Sequence, residues 1–147
     1  MADKSLYIAG SLLNKDRVAE LRDKFAARGI GLTYDWTTHG WVKEIDLLQE
    51  VAFKEAEGVV AAKCILMMGS GRNGTHFEAG IAWTLKKPIV MYIEDLDKHV
   101  WTSFHQRSEI IKVYSEAEAL DQVERIIRDG HNYAEHAIDT LRARHRC

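Results

Sequence analysis

A continuous apolar run, Cys64–Met68 (CILMM), constrains the fold of this chain more than any other segment. A strand exposed on one face alternates apolar and polar residues, whereas a strand covered on both faces is apolar throughout. The run therefore predicts an inner strand of a parallel sheet with helices on both sides. A glycine-rich loop, residues 69–74 (GSGRNG), follows at once, and ligands bind where the strands of such sheets end.

Strand-like and helix-like segments alternate along the rest of the chain. The predicted strands are residues 6–9, 30–36, 64–68, 89–93 and 110–114, and the predicted helices are 13–25, 45–56, 75–85, 116–127 and 133–141. This order predicts an α/β fold with one domain over residues 1–147, a C-terminal helix and a basic tail following from about residue 131. The domain is doubly wound and flavodoxin-like or Rossmann-like, with a five-stranded parallel sheet and helices on both faces.

Local patterns predict which side chains face the core and where one helix begins. The apolar residues at helical spacing are Ile45, Leu48, Val51, Ala52 and Ala56 in the second helix, as its buried stripe, and Phe77, Ile81 and Leu85 in the third. Residues 115–118 (SEAE) form a capping-box pattern, in which Ser115 and Glu118 satisfy each other's free backbone amides.

Composition and charge argue against several classes of function. The formal net charge is -2, so nucleic-acid binding is not expected. Cys64 and Cys147 form no disulfide framework, which favours a cytoplasmic location, and no segment has the length of a secretion signal or a membrane span. His131 and His136 are five residues apart, on different helix faces, and no HExxH or CxxC pattern occurs, so we expect neither a metal nor a cofactor.

Three unusual segments follow predicted strands. They are residues 9–11 (AGS), 35–36 (DW) and 69–78 (GSGRNGTHFE). Because the carboxyl ends of parallel strands lie at one edge of a sheet, the three segments should converge on one crevice.

The loop GSGRNG also matches the glycine fingerprint of dinucleotide-binding folds. Glu94 lies near the position where that fingerprint has an acidic residue for the ribose. However, the loop follows the third predicted strand and not the first. Glu78 would also place a negative charge where the helix start should attract a pyrophosphate.

A purely structural interpretation of the same loop remains open. The glycines make a turn, and Glu78 complements the dipole of the helix as a first-turn carboxylate. Three glycines and the small pair Ala79 and Gly80 after the carboxylate are more than a solvent-facing helix start requires.

Three segments carry a resemblance to a known family. Residues 7–11 (YIAGS), 33–36 (TYDW) and 73–82 (NGTHFEAGIA) resemble the nucleoside 2-deoxyribosyltransferase family, and the resemblance extends from residue 6 to about 127. Members exchange bases on 2-deoxyribose, and close relatives hydrolyse the N-glycosidic bond of nucleoside or deoxynucleoside monophosphates. The resemblance implies that Glu78, in the pattern G-T-x-x-E, is the nucleophile at the anomeric carbon, and it makes Tyr7 a further catalytic candidate.

Several residues at the predicted strand ends are candidates for substrate binding. Hydroxyl groups and backbone amides there are suited to hold a 5′-phosphate, whereas the tryptophan is suited to stack on a base. The candidates are Gly10, Ser11, Trp36, Ser70, Gly71, Asn73, Gly74 and Thr75. Asp35 is the candidate for protonating the leaving base, with capping of a turn as its alternative role.

The chain departs from the family pattern at two positions. Many members have an aspartate where this chain has Asn73, and a second frequent acid corresponds to Lys63. The reaction is therefore left open between a transferase, a hydrolase and a nucleotide-binding sensor without catalysis. The expected partners are a small nucleoside or nucleotide and further copies of this chain, because members complete the pocket with a neighbour's residues and because Trp101 and Phe104 are apolar residues of a polar connection.

Overall fold

Five strands and four helices alternate along residues 2–130, the part of the chain described by this computed structural model. The strands are β1 (Asp3–Ala9), β2 (Ile30–Leu32), β3 (Cys64–Met68), β4 (Ile89–Tyr92) and β5 (Ile110–Val113). The helices are α1 (Lys15–Ala27), α2 (Ile45–Ala61), α3 (Asn73–Thr84) and α4 (Glu116–Asp129). The predicted helix 133–141, the basic tail, His131 and His136 lie outside the described residues.

All strand pairs are parallel, and the strand order is β2-β1-β3-β4-β5. The strand β3 lies at the centre of this sheet, and every residue of it is buried, as its apolar run requires. The predicted α/β, doubly wound fold with a five-stranded parallel sheet is confirmed.

The helices cover the sheet in two pairs. Ion pairs such as Arg17–Glu116 and Arg28–Glu124 join α1 to α4, whereas α2 packs against α3. Right-handed crossovers place these two pairs on opposite faces of the sheet. None of the helices within residues 2–130 is both long and apolar enough to cross a membrane.

The strand β2 is shorter than the predicted segment 30–36. It ends at Leu32, because Asp35 begins a short 3-10 turn, Trp36–Thr38, and its side chain accepts a hydrogen bond from the Thr37 amide. At the start of α4, the Ser115 side chain accepts from the Glu118 amide as predicted. The Glu118 carboxylate instead accepts from the amide of Tyr114, one residue earlier than a capping box requires.

The apolar stripes predicted for α2 and α3 lie mostly outside the core, and of their members only Ile81 packs against it. In α2 the buried residues are Gly58 and Val59 near its end, whereas Leu48, Val51 and Ala52 of the stripe line a cavity. In α3 the buried residues are Thr75, Glu78 and Ala82, while Phe77 is 72% exposed. The helix therefore turns a carboxylate toward the sheet and an aromatic ring toward solvent.

Candidate active site

Glu78 is paired with Tyr7 inside the molecule. The Tyr7 hydroxyl donates a hydrogen bond of 2.9 Å to Glu78 Oε1, and Glu78 is only 7% exposed. The other oxygen, Oε2, is buried and has no hydrogen-bond partner among the described residues. Since α3 begins at Asn73, Glu78 lies in its second turn, so the first-turn capping role suggested by the sequence does not apply.

The environment of Glu78 favours its protonated form. Burial raises the pKa of Glu78 to about 8, the charge of Glu55 adds to the rise, and the hydrogen bond from Tyr7 opposes it. Burial, followed by the charge of Glu78, also raises the pKa of Tyr7, so the phenol keeps its proton and remains a donor.

Glu55 is a further acidic residue of the site, and the sequence analysis missed it. It lies on α2, half-buried, and burial raises the pKa of its carboxyl while the charge of His39 opposes the rise. The signal was present in the sequence, because Glu55 stands in helical phase with the apolar residues Val51 and Ala52. Glu55 therefore faces the same cavity as the apolar residues of this stripe.

Glu55 lines a cavity of about 270 Å³. The cavity is formed by the residues after β1, the 3-10 turn with the segment that follows it, and the first half of α2. Its lining residues are Gly10, Leu12, Trp36, His39, Gly40, Trp41, Val42, Leu48, Val51, Ala52 and Glu55. The cavity thus combines an apolar wall with a carboxyl group at the carboxyl end of the sheet, where ligands bind in this class of fold.

Gly58 permits the close packing of α2 on the site. A Cβ atom at this position would lie 2.7 Å from Tyr34 Cβ and 3.0 Å from Tyr7 Cδ2. Both distances are shorter than normal carbon contacts, so a larger residue would push α2 away from the Tyr7 ring. Gly58 therefore helps to fix the distance between α2, which carries Glu55, and the Tyr7–Glu78 pair.

The glycine loop is shaped by its packing on α3. Gly71 has a positive φ of 69°, and a Cβ atom there would lie 2.7 Å from Thr75 Cγ2. Thr75 is buried on the same face of α3 as Glu78, and its hydroxyl has no partner among the described residues. The Ser70 hydroxyl accepts a hydrogen bond from the Val100 amide, whereas Asn73 and Gly74 are exposed at the start of α3.

The residues after β1 and β2 form the wall of the cavity. Trp36 is 4% exposed and donates through Nε1 to the Ile8 carbonyl, and its ring lies 3.3 Å from the position of a Cβ at Gly10. Trp36 therefore anchors the turn to the core and offers an edge to the cavity. The Ser11 hydroxyl contacts Asn14 Oδ1 at 3.5 Å.

Asp35 makes structural contacts. Its carboxylate accepts hydrogen bonds from the Thr37 amide and from Arg22 Nη1, each at 3.0 Å. Partial burial opposes ionisation, but the bonds from Thr37 and Arg22 outweigh it and hold the pKa of Asp35 below its usual range. Asp35 is therefore a weak proton donor, and its carboxylate caps the 3-10 turn.

Neither a dinucleotide nor a metal is favoured by the described residues. Glu94, the acid that would bind a ribose, is instead engaged in an ion pair with Arg17 of α1. Within residues 2–130, no group of three or more histidine, cysteine or acidic side chains is arranged to hold a metal ion.

The fold is shared with an enzyme of known structure. A CMP N-glycosidase of Clostridium botulinum superposes with a TM-score of 0.57 and 16% sequence identity, over 82% of this chain and 98% of the other. At this level of identity the likeness establishes the fold and nothing further. No protein-family model matches the sequence, and no curated protein matches it.

Proposed function

We propose that this protein cleaves the N-glycosidic bond of a nucleoside or nucleoside 5′-monophosphate, with Glu78 as the nucleophile. The observation that carries the proposal is the buried Tyr7–Glu78 pair, which feels the charge of a second carboxyl group, Glu55, that lines a cavity. A buried carboxylate is costly, and proteins keep one where its chemistry is needed. The fold shared with a CMP N-glycosidase supports this choice of reaction.

Glu78 supplies the electrons for the first step. Its carboxylate attacks the anomeric carbon, a C–O bond forms, and the electrons of the C–N bond pass to the leaving base. Positive charge grows on the sugar in the transition state, and the carboxylate stabilises that charge at short range. Water then hydrolyses the glycosyl ester in a hydrolase, or an acceptor base displaces Glu78 in a transferase.

Glu55 supplies the proton that the leaving base needs. Its carboxyl lines the cavity, and its raised pKa keeps more of the acid form near neutral pH than an exposed glutamate has. This role replaces the one that the sequence suggested for Asp35, whose carboxylate is already bonded to Thr37 and Arg22.

Tyr7 favours the charged, reactive form of Glu78 against the effects of burial and of Glu55. Two nearby carboxyl groups resist double ionisation, so one proton is shared between Glu55 and Glu78 over a range of pH. Burial and the charge of Glu55 place that proton on Glu78 in the free protein, and the phenol bond lowers the cost of moving it to Glu55. Transfer of the proton to Glu55 when the substrate binds gives the ionised nucleophile and the general acid that the reaction requires.

The start of α3 supports a monophosphate as substrate. No side chain caps this helix start, so its first backbone amides are available to an anion. The glycine loop comes directly before it, which brings Gly71, Asn73 and Gly74 beside the same amides. Since the Ser70 hydroxyl already accepts from Val100, we assign phosphate binding to the backbone of this loop.

A nucleotide sensor without catalysis is the second candidate. It is favoured by Asn73 and Lys63 at positions where the family often has acids. Lys63 is exposed and forms an ion pair with Asp3 at 3.1 Å. Asp3 is the first residue of β1, so this ion pair lies at the opposite end of the strand from the candidate site.

A substrate panel separates these functions. The protein is incubated with deoxynucleosides, ribonucleosides and their 5′-monophosphates, with and without an acceptor base, and free base and new nucleoside are measured. Base release into water identifies a hydrolase, and exchange that needs the acceptor identifies a transferase. Binding of a nucleotide without turnover of any substrate identifies the sensor and contradicts the proposed reaction.

We also propose that the protein forms at least a dimer. The outward residues Phe77, Leu85, Trp101 and Phe104 are all substantially exposed in the described chain, and such apolar surface is usually covered by a partner. Sedimentation at micromolar concentration tests this, and a monomer contradicts it.

A further inference from the structure

His39 lies in the wall of the same cavity as Glu55. It follows the 3-10 turn that Asp35 caps, and its ring centroid is 6.5 Å from that of Tyr34. Both His39 and Glu55 line the cavity, and an electrostatic interaction links the two side chains. His39 is therefore close to the proposed proton donor, on the side of the site that would contact the leaving base.

The hydrogen bonding of His39 fixes the role of each ring nitrogen. Nδ1 lies 3.1 Å from the carbonyl oxygen of Gly40, and a carbonyl oxygen can only accept. Nδ1 therefore carries the hydrogen, and Nε2 of the neutral ring is an acceptor. Nε2 is buried and has no partner among the described residues, which is an unfavourable state for a polar atom.

We propose that His39 selects the leaving base by accepting a hydrogen bond at Nε2 from an exocyclic amino group. Cytosine and adenine carry such a group next to a ring nitrogen. Uracil and hypoxanthine have a carbonyl oxygen there, which would face the Nε2 lone pair and leave both acceptors unpaired. The substrates are therefore amino-substituted bases, a selectivity that rests on the proposed function because the cavity is taken as the base-binding part of that site.

The segment around His39 can admit a base. Gly40 and Trp41 are exposed, with Trp41 75% exposed, and no atom lies within 4 Å of the position of a Cβ at Gly40. Nε2 itself is shielded from water, although the segment is far more exposed than Trp36 in the core. A base that enters the cavity would shift Gly40 and Trp41 together with His39, so that Nε2 meets the amino group while the Nδ1 contact with Gly40 is kept and the Trp41 ring stays at the rim.

The test compares matched pairs of substrates that differ in this one group. Base release is measured at about pH 8 for CMP against UMP and for AMP against IMP, and for the corresponding nucleosides. We expect wild type to prefer the amino base by about tenfold or more in kcat/KM, because a site built to receive a donor rejects an analogue that lacks it. His39→Phe keeps an aromatic ring without the acceptor, and it should reduce the preference to within about threefold.

Trp41→Phe is the matched control in the same wall of the cavity. It should change the efficiency toward both members of a pair equally and leave their ratio unaltered. A wild-type ratio near one, or a ratio that survives His39→Phe, overturns the selectivity while turnover itself leaves the proposed function intact.

Binding measurements on Glu78→Gln distinguish failure of the His39 selectivity from failure of the proposed reaction. Titration calorimetry with the same nucleotide pairs should give the same preference in Kd, and His39→Phe in that background should remove it. Preference in binding without any turnover by wild type supports His39 and contradicts the proposed reaction. Absence of binding by every nucleotide contradicts both.

Discussion

The Tyr7 hydroxyl donates a 2.9 Å hydrogen bond to Glu78 Oε1 and so links two buried residues that are 71 positions apart in the chain. Tyr7 belongs to β1 and Glu78 to α3, so the bond forms only when the sheet and the helix are in place. Burial disfavours the charged carboxylate, and the phenol is the neighbouring group that favours it. The pair sets both the reactivity of Glu78 and its cost to the fold.

Loss of the Tyr7 hydroxyl should weaken the nucleophile. In Tyr7→Phe the pKa of Glu78 rises above about 8, because the bond that stabilised the carboxylate is gone. We expect kcat to fall by roughly ten- to a hundredfold and the acid limb of its pH profile to move to higher pH. Tyr34→Phe, a change beside the same Gly58, should leave the limb in place, and an unmoved limb in Tyr7→Phe contradicts this role.

Glu55→Gln should affect substrates according to their leaving base. The variant lacks the proton donor, so release of ordinary bases should fall by roughly a hundredfold or more. N7-methylguanosine leaves without protonation and should be cleaved at nearly the wild-type rate. The pKa of Glu78 should also fall with loss of the Glu55 charge, which moves the acid limb to lower pH.

The exposed Glu57 on the same helix provides the control for this variant. Glu57→Gln should match wild type for all substrates. An equal loss for ordinary bases and for N7-methylguanosine in Glu55→Gln would show that Glu55 does not donate the proton.

Asp35→Asn should affect stability more than catalysis. The change weakens the cap of the 3-10 turn and the ion pair with Arg22, and we expect a loss of about 0.5 to 2 kcal/mol in the free energy of unfolding. The rate of base release should stay within about threefold of wild type. Asp23→Asn removes another partner of Arg22 and serves as the control. Complete loss of turnover in a well-folded Asp35→Asn protein would restore the catalytic role suggested by the sequence.

The pKa of Glu78 predicts a specific dependence of stability on pH. A carboxyl whose pKa is raised by folding, here to about 8, favours the native state below its unfolded pKa, and that contribution is lost as pH rises through 8. Glu78→Gln should therefore gain stability over wild type between about pH 4.5 and 8, reaching roughly 3 to 5 kcal/mol above that range. Urea denaturation at about pH 5 and pH 9 measures the gain. A difference that does not change with pH contradicts the raised pKa.

Much of the fold was predictable because it depends on local patterns. The apolar run of β3 required burial on both faces, and the alternation of segments required a parallel sheet. The length of β2 was not predictable from residue types, because residues 33–36 (TYDW) include a threonine and two aromatic residues, which favour strands. The cap by Asp35 ends the strand there.

The site was only partly predictable because its helices do not turn their apolar residues toward the core. Periodicity assumes that apolar residues face the core, but α3 buries Glu78 and exposes Phe77. The role assigned to Glu78 came from the motif GTHFE. Glu55 could not be placed, because its importance depends on a cavity formed by segments that are distant in sequence.

Turnover by Glu78→Gln tests the central claim most directly. The amide keeps the shape of the side chain and can still bond with Tyr7, but it cannot attack the anomeric carbon or balance the charge on the sugar. For the best substrate of the wild-type protein, we predict that base release falls by roughly three orders of magnitude or more while the Kd for that substrate changes by less than about threefold. A folded Glu78→Gln protein that releases base at close to the wild-type rate would contradict the account.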